Sequence, residues 1–169
     1  MTFKNIPFGS LESFNVILEI PKDSPVKYEY NHEKDAIIQD FVFKDGFVFK
    51  YNYGFIPETL CGDGDPQDVM ILNTKPLEQG KTYQCRAIGI IELLDRGEED
   101  NKLLAVIIND SESNNITDIS SLTEKDLQDF KDFYAEVARQ KNKTMEILGF
   151  HDKERALSEL SKAHQAFTA

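Results

Sequence analysis

Gly62-Asp63-Gly64-Asp65-Pro66-Gln67-Asp68 sets three carboxylates within six positions of a Gly- and Pro-punctuated loop. Acids crowded on a tight turn repel one another unless a cation offsets them, and oxygen-only donors suit Mg2+, Mn2+ or Ca2+ rather than Zn2+. The calcium-binding EF-hand does not fit, because that loop needs Gly at its sixth position and Glu at its twelfth. Asp68 and Thr74 stand there. A second acidic segment, Asp95-Arg96-Gly97-Glu98-Glu99-Asp100-Asn101-Lys102, lies between two strand-like runs. Alone, each loop reads as a solvated acidic turn. Brought together, five or more carboxylates could hold several divalent ions.

Carboxylates by themselves would make only a metal buffer. Glu19, Lys27, Glu29, Tyr53 and Lys102 add further acids, two ammonium groups and a phenol. Lys and Tyr donors beside a hard divalent ion are what a phosphoryl group needs, because its transition state gathers negative charge on peripheral oxygens. The reaction class indicated is metal-assisted phosphoryl transfer to water. No covalent nucleophile competes: there is no G-x-S-x-G elbow, His32, His151 and His164 have neither triad nor ligand spacing, and Cys61 has no neighbouring base. G-x-G-x-x-G and Walker A loops are absent, which argues against dinucleotide and P-loop chemistry.

These residues must be positioned by strands. Phe14 to Ile20 is a β-rich run stopped by Pro21, and Val26 to Tyr30 alternates so that Lys27 and Glu29 share a face. Ile37 to Phe43 and Phe47 to Tyr53 flank Asp45-Gly46, which predicts a hairpin between them. Val69 to Leu72, Thr82 to Leu94 and Leu103 to Ile108 are further strands, giving six or seven in a row. The period then changes. From Thr123 onward, Leu127, Phe130, Phe133, Tyr134, Val137 and Ala138 recur at helical spacing, with Thr123 and Asp126 as a capping pair. A second helix is predicted over Asp152 to Phe167, its stripe being Leu157, Leu160, Ala163 and Phe167. Strands followed by helices argue an α+β fold: a curled sheet or small barrel closed by C-terminal helices, one domain over residues 1–169.

Composition limits the partners. With 19 basic and 30 acidic side chains the formal net charge is −11, so nucleic-acid backbones and anionic membranes are repelled over most of the surface. No run approaches the ~20 apolar residues of a membrane span, and no secretory h-region precedes Phe14. Two cysteines without an export signal read as free thiols, and a cytoplasmic location is expected.

Together the markers Leu18-Glu19-Ile20-Pro21, Lys27-Tyr28-Glu29, Asn52-Tyr53-Gly54, Gly62 through Asp68, and Asp95 to Lys102 with D-x-x-x-x-D-x-K spacing resemble one family. It is that of the single-barrel, Mg2+-dependent soluble inorganic pyrophosphatases. The resemblance runs from about Phe14 to Ile107 and more weakly through the helical tail. It implies an OB-like five-stranded barrel with additional strands and C-terminal helices. It also implies Mg2+, with Mn2+ or other divalent ions as substitutes, and a homo-oligomer, often a hexamer in bacteria. Carried over by position, Asp63, Asp68 and Asp100 hold the activating metals, and Asp95 with Asp100 holds a substrate-borne one. Glu19 reaches a metal through water, and Glu29 supports the acids. Asp65 takes the proton of the attacking water, and Lys27, Tyr53, Lys102 and Tyr134 contact phosphate oxygens.

Four positions depart from the family pattern. Phe41 stands where the family has a phosphate-gripping Arg, Ala135 where it has a Lys, Phe49 where it has a Tyr, and Gln67 where the loop is normally apolar. Losing one preorganised donor to a developing oxyanion costs roughly 2.7–4 kcal/mol. Arg139, Lys50 and Lys141 are candidates to refill the depleted pocket. The expected activity is hydrolysis of pyrophosphate to two orthophosphates, reduced or redirected by these changes. The alternatives are a hydrolase for a different diphosphate or phosphonate, and a weakly catalytic metal- or phosphate-binding paralogue.

Overall fold

A computed structural model describes residues 2–169. The β-branched and aromatic runs form nine strands: β1 (Phe14–Ile20), β2 (Val26–Asn31), β3 (Ala36–Val42), β4 (Asn52–Ile56), β5 (Gln67–Ile71), β6 (Thr82–Asp95), β7 (Glu98–Glu99), β8 (Lys102–Ile107) and β9 (Met145–His151). Helix α1 spans Glu124–Gln140 and α2 spans Lys153–Thr168. Strands pair in the order β1-β4-β5-β8-β6, and β6 pairs again with β1, so five strands close on themselves. That closure is the expected OB-like barrel. Strands β7 and β9 extend it from β6, while β2 and β3 form a separate hairpin.

Alternation along the barrel strands splits the apolar residues into two clusters. Phe14, Val16, Leu18, Ile56, Val69, Ile71 and Leu103 pack with Ala156 and Leu160 of α2. Their neighbours Ile20, Met70, Ile91, Leu104 and Val106 meet Phe130, Phe133, Tyr134 and Val137 of α1. The first helix starts where expected: Thr123 Oγ1 accepts from the Asp126 N–H, and the Asp126 carboxylate accepts from the Thr123 N–H. The stripe of α2 is Ala156, Leu160 and Ala163; Phe167, predicted to lie on it, is 51% exposed. From Gln165 onward every residue is exposed, so the last turn has no surface to cover.

One further expectation is corrected, and one strand joins the expected set. Asp45 and Gly46 do form a turn, with φ of 57° and 74° and Phe47 N–H donating to Lys44 O at 3.0 Å. The segments flanking it do not pair with each other; β3 pairs with β2, from Val26↔Val42 to Asn31↔Ala36. Phe47 to Tyr51 instead enter the aromatic cluster of Phe43 and Phe133, with a single bridge from Phe49 to Ser24. Strand β9 was not foreseen, because Leu148 points outward, 50% exposed, and spoils the alternation. Among the described residues no helix is long and apolar enough to cross a membrane.

Of the glycines, the one most closely met by other backbone lies beside the site. Gly54 pairs with Leu18, and a β-carbon there would fall 2.1 Å from the carbonyl oxygen of Ile17. Gly54→Ala is therefore expected to cost about 3 kcal/mol or more of unfolding free energy, at or beyond the top of the usual overpacking range. The check is the urea midpoint; one equal to wild type would contradict this packing of β1 on β4.

Candidate active site

The acidic loop joining β4 to β5 is tied down by its own backbone. Cys61 N–H donates to Asp65 O at 2.8 Å, Gly64 N–H to Cys61 O at 3.1 Å, and Gly64 takes φ 92°. Asp63 accepts from the Asp65 N–H at 3.0 Å, an Asx turn that holds two of the three acids side by side. Gln67 is buried, and its amide nitrogen donates to Asp68 O at 3.0 Å and to Asn101 O at 2.9 Å. This unusual residue thus stitches the first acidic loop to the second. Strands β5 and β8 run parallel with Val69 opposite Leu103, which sets Asp68 and Lys102 beside each other at the strand starts. The Lys102 ammonium lies 2.6 Å from Asp68 Oδ2 and 2.5 Å from Asp100 Oδ1. The two loops converge.

All eleven residues expected at the site line one cleft of about 470 Å³. Glu19 rises from β1, Lys27 and Glu29 from β2, and Tyr53 from β4. Asp63, Asp65 and Asp68 come from the first loop, Asp95, Asp100 and Lys102 from the second segment, and Tyr134 from α1. Lys27 lies 3.7 Å from Glu29, confirming their shared face, and 2.9 Å from Asp40. Glu98 and Glu99 of the second acidic segment also line the cleft, as do Asp40 and Lys143, which the sequence reading missed. Lys143 pairs with Asp95 Oδ2. A Lys-Asn-Lys run just past a helix was its only signal.

Burial and crowding set the protonation chemistry. Burial, then the charge of Asp68, pushes Glu19 well above the ordinary carboxylate range, although the Tyr30 N–H donates to it at 2.7 Å. Asp65 is raised by burial and by its neighbours Asp63 and Asp68. Asp100 is raised by burial, with Lys102 opposing. Burial alone would lower Lys102, but Asp68 and Asp100 hold it above the ordinary lysine value. Tyr53 and Tyr134 are kept neutral by burial, and the Tyr134 hydroxyl donates to Met70 Sδ at 3.4 Å. Burial, with Asp63 beside it, pushes Cys61 up to about 12, so it supplies no thiolate.

The departing positions sort themselves. Phe41 packs edge-on against Phe43 at 5.3 Å and Ala135 is exposed; neither lines the cleft. Phe49 lines it while only 3% exposed, held by Tyr53 and Phe133. Of the candidate replacements, Lys50 pairs with Asp129 and Arg139 with Glu136, both away from the cleft lining. Lys141 lines it.

Among the described residues, no three carboxylate, thiol or imidazole groups form a ready cage for a metal. The donors nonetheless fit a hard ion that keeps most of its waters and takes one or two carboxylates. Asp68 and Asp100 already converge on one cation-sized point, now held by the Lys102 ammonium, and Asp95 Oδ1 is buried without a hydrogen-bond partner. Replacing Lys102 by Met leaves two partly buried acids facing each other, which costs about 3–5 kcal/mol. In chelator Lys102→Met should melt well below wild type, and Mg2+ should raise its melting temperature by more than it raises that of wild type. Equal Mg2+ shifts would mean that the acids do not share a cation site.

The sequence model of the inorganic pyrophosphatase family matches residues 16–168. A soluble inorganic pyrophosphatase of Zea mays is 40% identical over 137 residues, 81% of this chain and 64% of that protein. Soluble inorganic pyrophosphatase 3 of Arabidopsis thaliana is 39% identical over 85% of this chain and 66% of its own length. The chain thus spans just under two thirds of these plant relatives. A crystal structure of inorganic pyrophosphatase from Thermus thermophilus superposes with a TM-score of 0.92 at 30% identity, covering all of both chains. One from Coxiella burnetii gives 0.90 at 32%, covering 96% of this chain and 99% of that one. Barrel, acidic loops and relatives agree, and the chain belongs to the inorganic pyrophosphatase family.

Proposed function

We propose that this protein hydrolyses inorganic pyrophosphate to two orthophosphates, using Mg2+ or a similar divalent ion and water as the nucleophile. The observation that carries this is the meeting of both acidic loops on Lys102, with two neutral tyrosines and Lys27 in the same cleft. Charge supports the metal requirement. The lining holds ten carboxylates against five cationic side chains, so a multiply charged anion enters only when divalent ions enter too.

When bound, such ions lower the pKa of solvent water toward neutrality and neutralise phosphate oxygens. Asp63, Asp68 and Asp100 would hold them, with Asp95 completing a further site, Glu19 reaching in through water and Glu29 steadying the acids. Asp65 is the base. It lines the cleft while itself exposed, where water arrives. The water oxygen bonds to one phosphorus as its proton passes to Asp65, and the bridging P–O bond breaks toward the second phosphate. Lys27 and Lys102 hold peripheral oxygens with their remaining N–H donors, and the neutral Tyr53 hydroxyl can donate without adding charge, as can that of Tyr134 on leaving Met70 Sδ.

A substrate with an apolar leaving side finds less support. Phe41 is not among the residues lining the cleft, and that lining is dominated by charged groups.

Purified protein with Mg2+ and pyrophosphate should release orthophosphate, and Asp65→Asn should lower kcat by roughly 10²- to 10⁴-fold, the usual worth of a general base. Phosphate release absent with Mg2+, Mn2+ and Co2+ between about pH 6 and about pH 9, a span around a metal-activated water near 7, overturns the proposal.

A further inference from the structure

The end of α1 is built to deliver two ammonium groups into the cleft. The helix stops in a Schellman motif: Lys143 N–H donates to Ala138 O at 3.0 Å, and Asn142 N–H to Arg139 O at 3.3 Å. Asn142 sits between them in the left-handed region at φ 49°. Arg96 N–H then donates to Thr144 O at 2.9 Å, locking the turn against the second acidic segment. The lysines on either side of Asn142 both line the cleft and are mostly buried, with side chains 17% and 10% exposed. Lys141 lies 2.9 Å from Asp40 and 5.7 Å above the Phe41 ring, while Lys143 pairs with Asp95.

We infer that Lys141 and Lys143 form a phosphate-holding arm for the phosphoryl group remote from the attacked phosphorus. It supplies from the helix turn the positive charge that Phe41 and Ala135 do not. The inference deepens the pyrophosphatase reading and rests on it. Each ammonium has three N–H donors, and each is engaged by a single carboxylate here, so both retain donors for phosphate oxygens. The Phe41 ring supports this directly. It holds no phosphate itself but lies under the Lys141 ammonium, where cation–π attraction steadies the charge. Asp40, shared by Lys27 and Lys141, keeps the two ammonium groups in one wall. A fixed pair of cations of this kind selects a compact inorganic diphosphate over one whose second phosphorus carries an organic group.

The test is calorimetric binding of imidodiphosphate, a hydrolysis-resistant pyrophosphate analogue, to the full chain with Mg2+, alongside KM for pyrophosphate. Lys141→Met and Lys143→Met should each weaken analogue binding and raise KM by roughly tenfold or more, with the larger part of the change in KM rather than kcat. Lys50→Met and Arg139→Met, outside the cleft, should match wild type. If Lys143→Met does not fold, its Asp95 partner being left bare, Lys141→Met decides alone, since Asp40 keeps Lys27. Analogue affinity and KM unchanged in the folded lysine variants overturn the arm while leaving pyrophosphate hydrolysis standing. A wild type that binds the analogue but releases no phosphate overturns the hydrolysis reading, and the arm is then judged on analogue affinity. No analogue binding by wild type overturns the arm, and phosphate release alone then decides the hydrolysis reading.

Discussion

The site depends on one buried ammonium. Lys102 is 4% exposed, and taking its charge out of water is tolerable only because Asp68 and Asp100 sit within hydrogen-bond reach on either side. Neither acidic loop could hold its carboxylates inward without it, because Asp68 and Asp100 would repel each other across the same gap. The sheet makes the arrangement possible. Parallel pairing of β5 with β8 brings Asp68, at the end of one loop, beside the first residue after the other. Antiparallel neighbours on both sides, β4 and β6, fix those strands and complete the ring. A register slip of one residue would turn Lys102 to the opposite face and separate the loops.

The acids around this centre are held in a state that favours a cation. Glu19, Asp65 and Asp100 are all shifted toward holding protons, with burial the leading cause. A carboxylate resisting ionisation for want of positive charge gains most when such charge arrives. The barrel supplies the stability for this concentration of acid. Its two apolar clusters lie on alternate sides of the same strands that present the acids.

Much of this was legible in the sequence. Asp63, Asp65, Asp68, Asp95, Asp100 and Lys102 announce themselves by density and spacing, and their convergence needs only two loops at neighbouring strand ends. The barrel strands and both helices follow from period and capping. What failed were matters of competition between segments. The Asp45-Gly46 turn has the right local chemistry, but it could not reveal that Phe47, Phe49 and Tyr51 pack on Phe133 rather than pairing with β3. Asp40 stands alone in its segment and Lys143 shows only in a Lys-Asn-Lys run past a helix, so the role of each comes from what faces it. The burial of Gln67 likewise makes sense only once Asn101 O is seen beside it.

The departures from the family pattern take on a different meaning in three dimensions. Read along the chain, Phe41 and Ala135 subtract two cations from a phosphate pocket. In space, the charge has an alternative source in Lys141 and Lys143, on a turn whose geometry Asn142 fixes. Both lysine side chains are mostly buried and already held by a carboxylate, so less rotamer freedom remains to be lost on binding. Phe41 then belongs with Lys141 rather than against it, because an aromatic ring under an ammonium holds the charge without consuming an N–H donor. An Arg at position 41 would crowd Lys141 with like charge, so the absence of one and the presence of the other form a single physical arrangement.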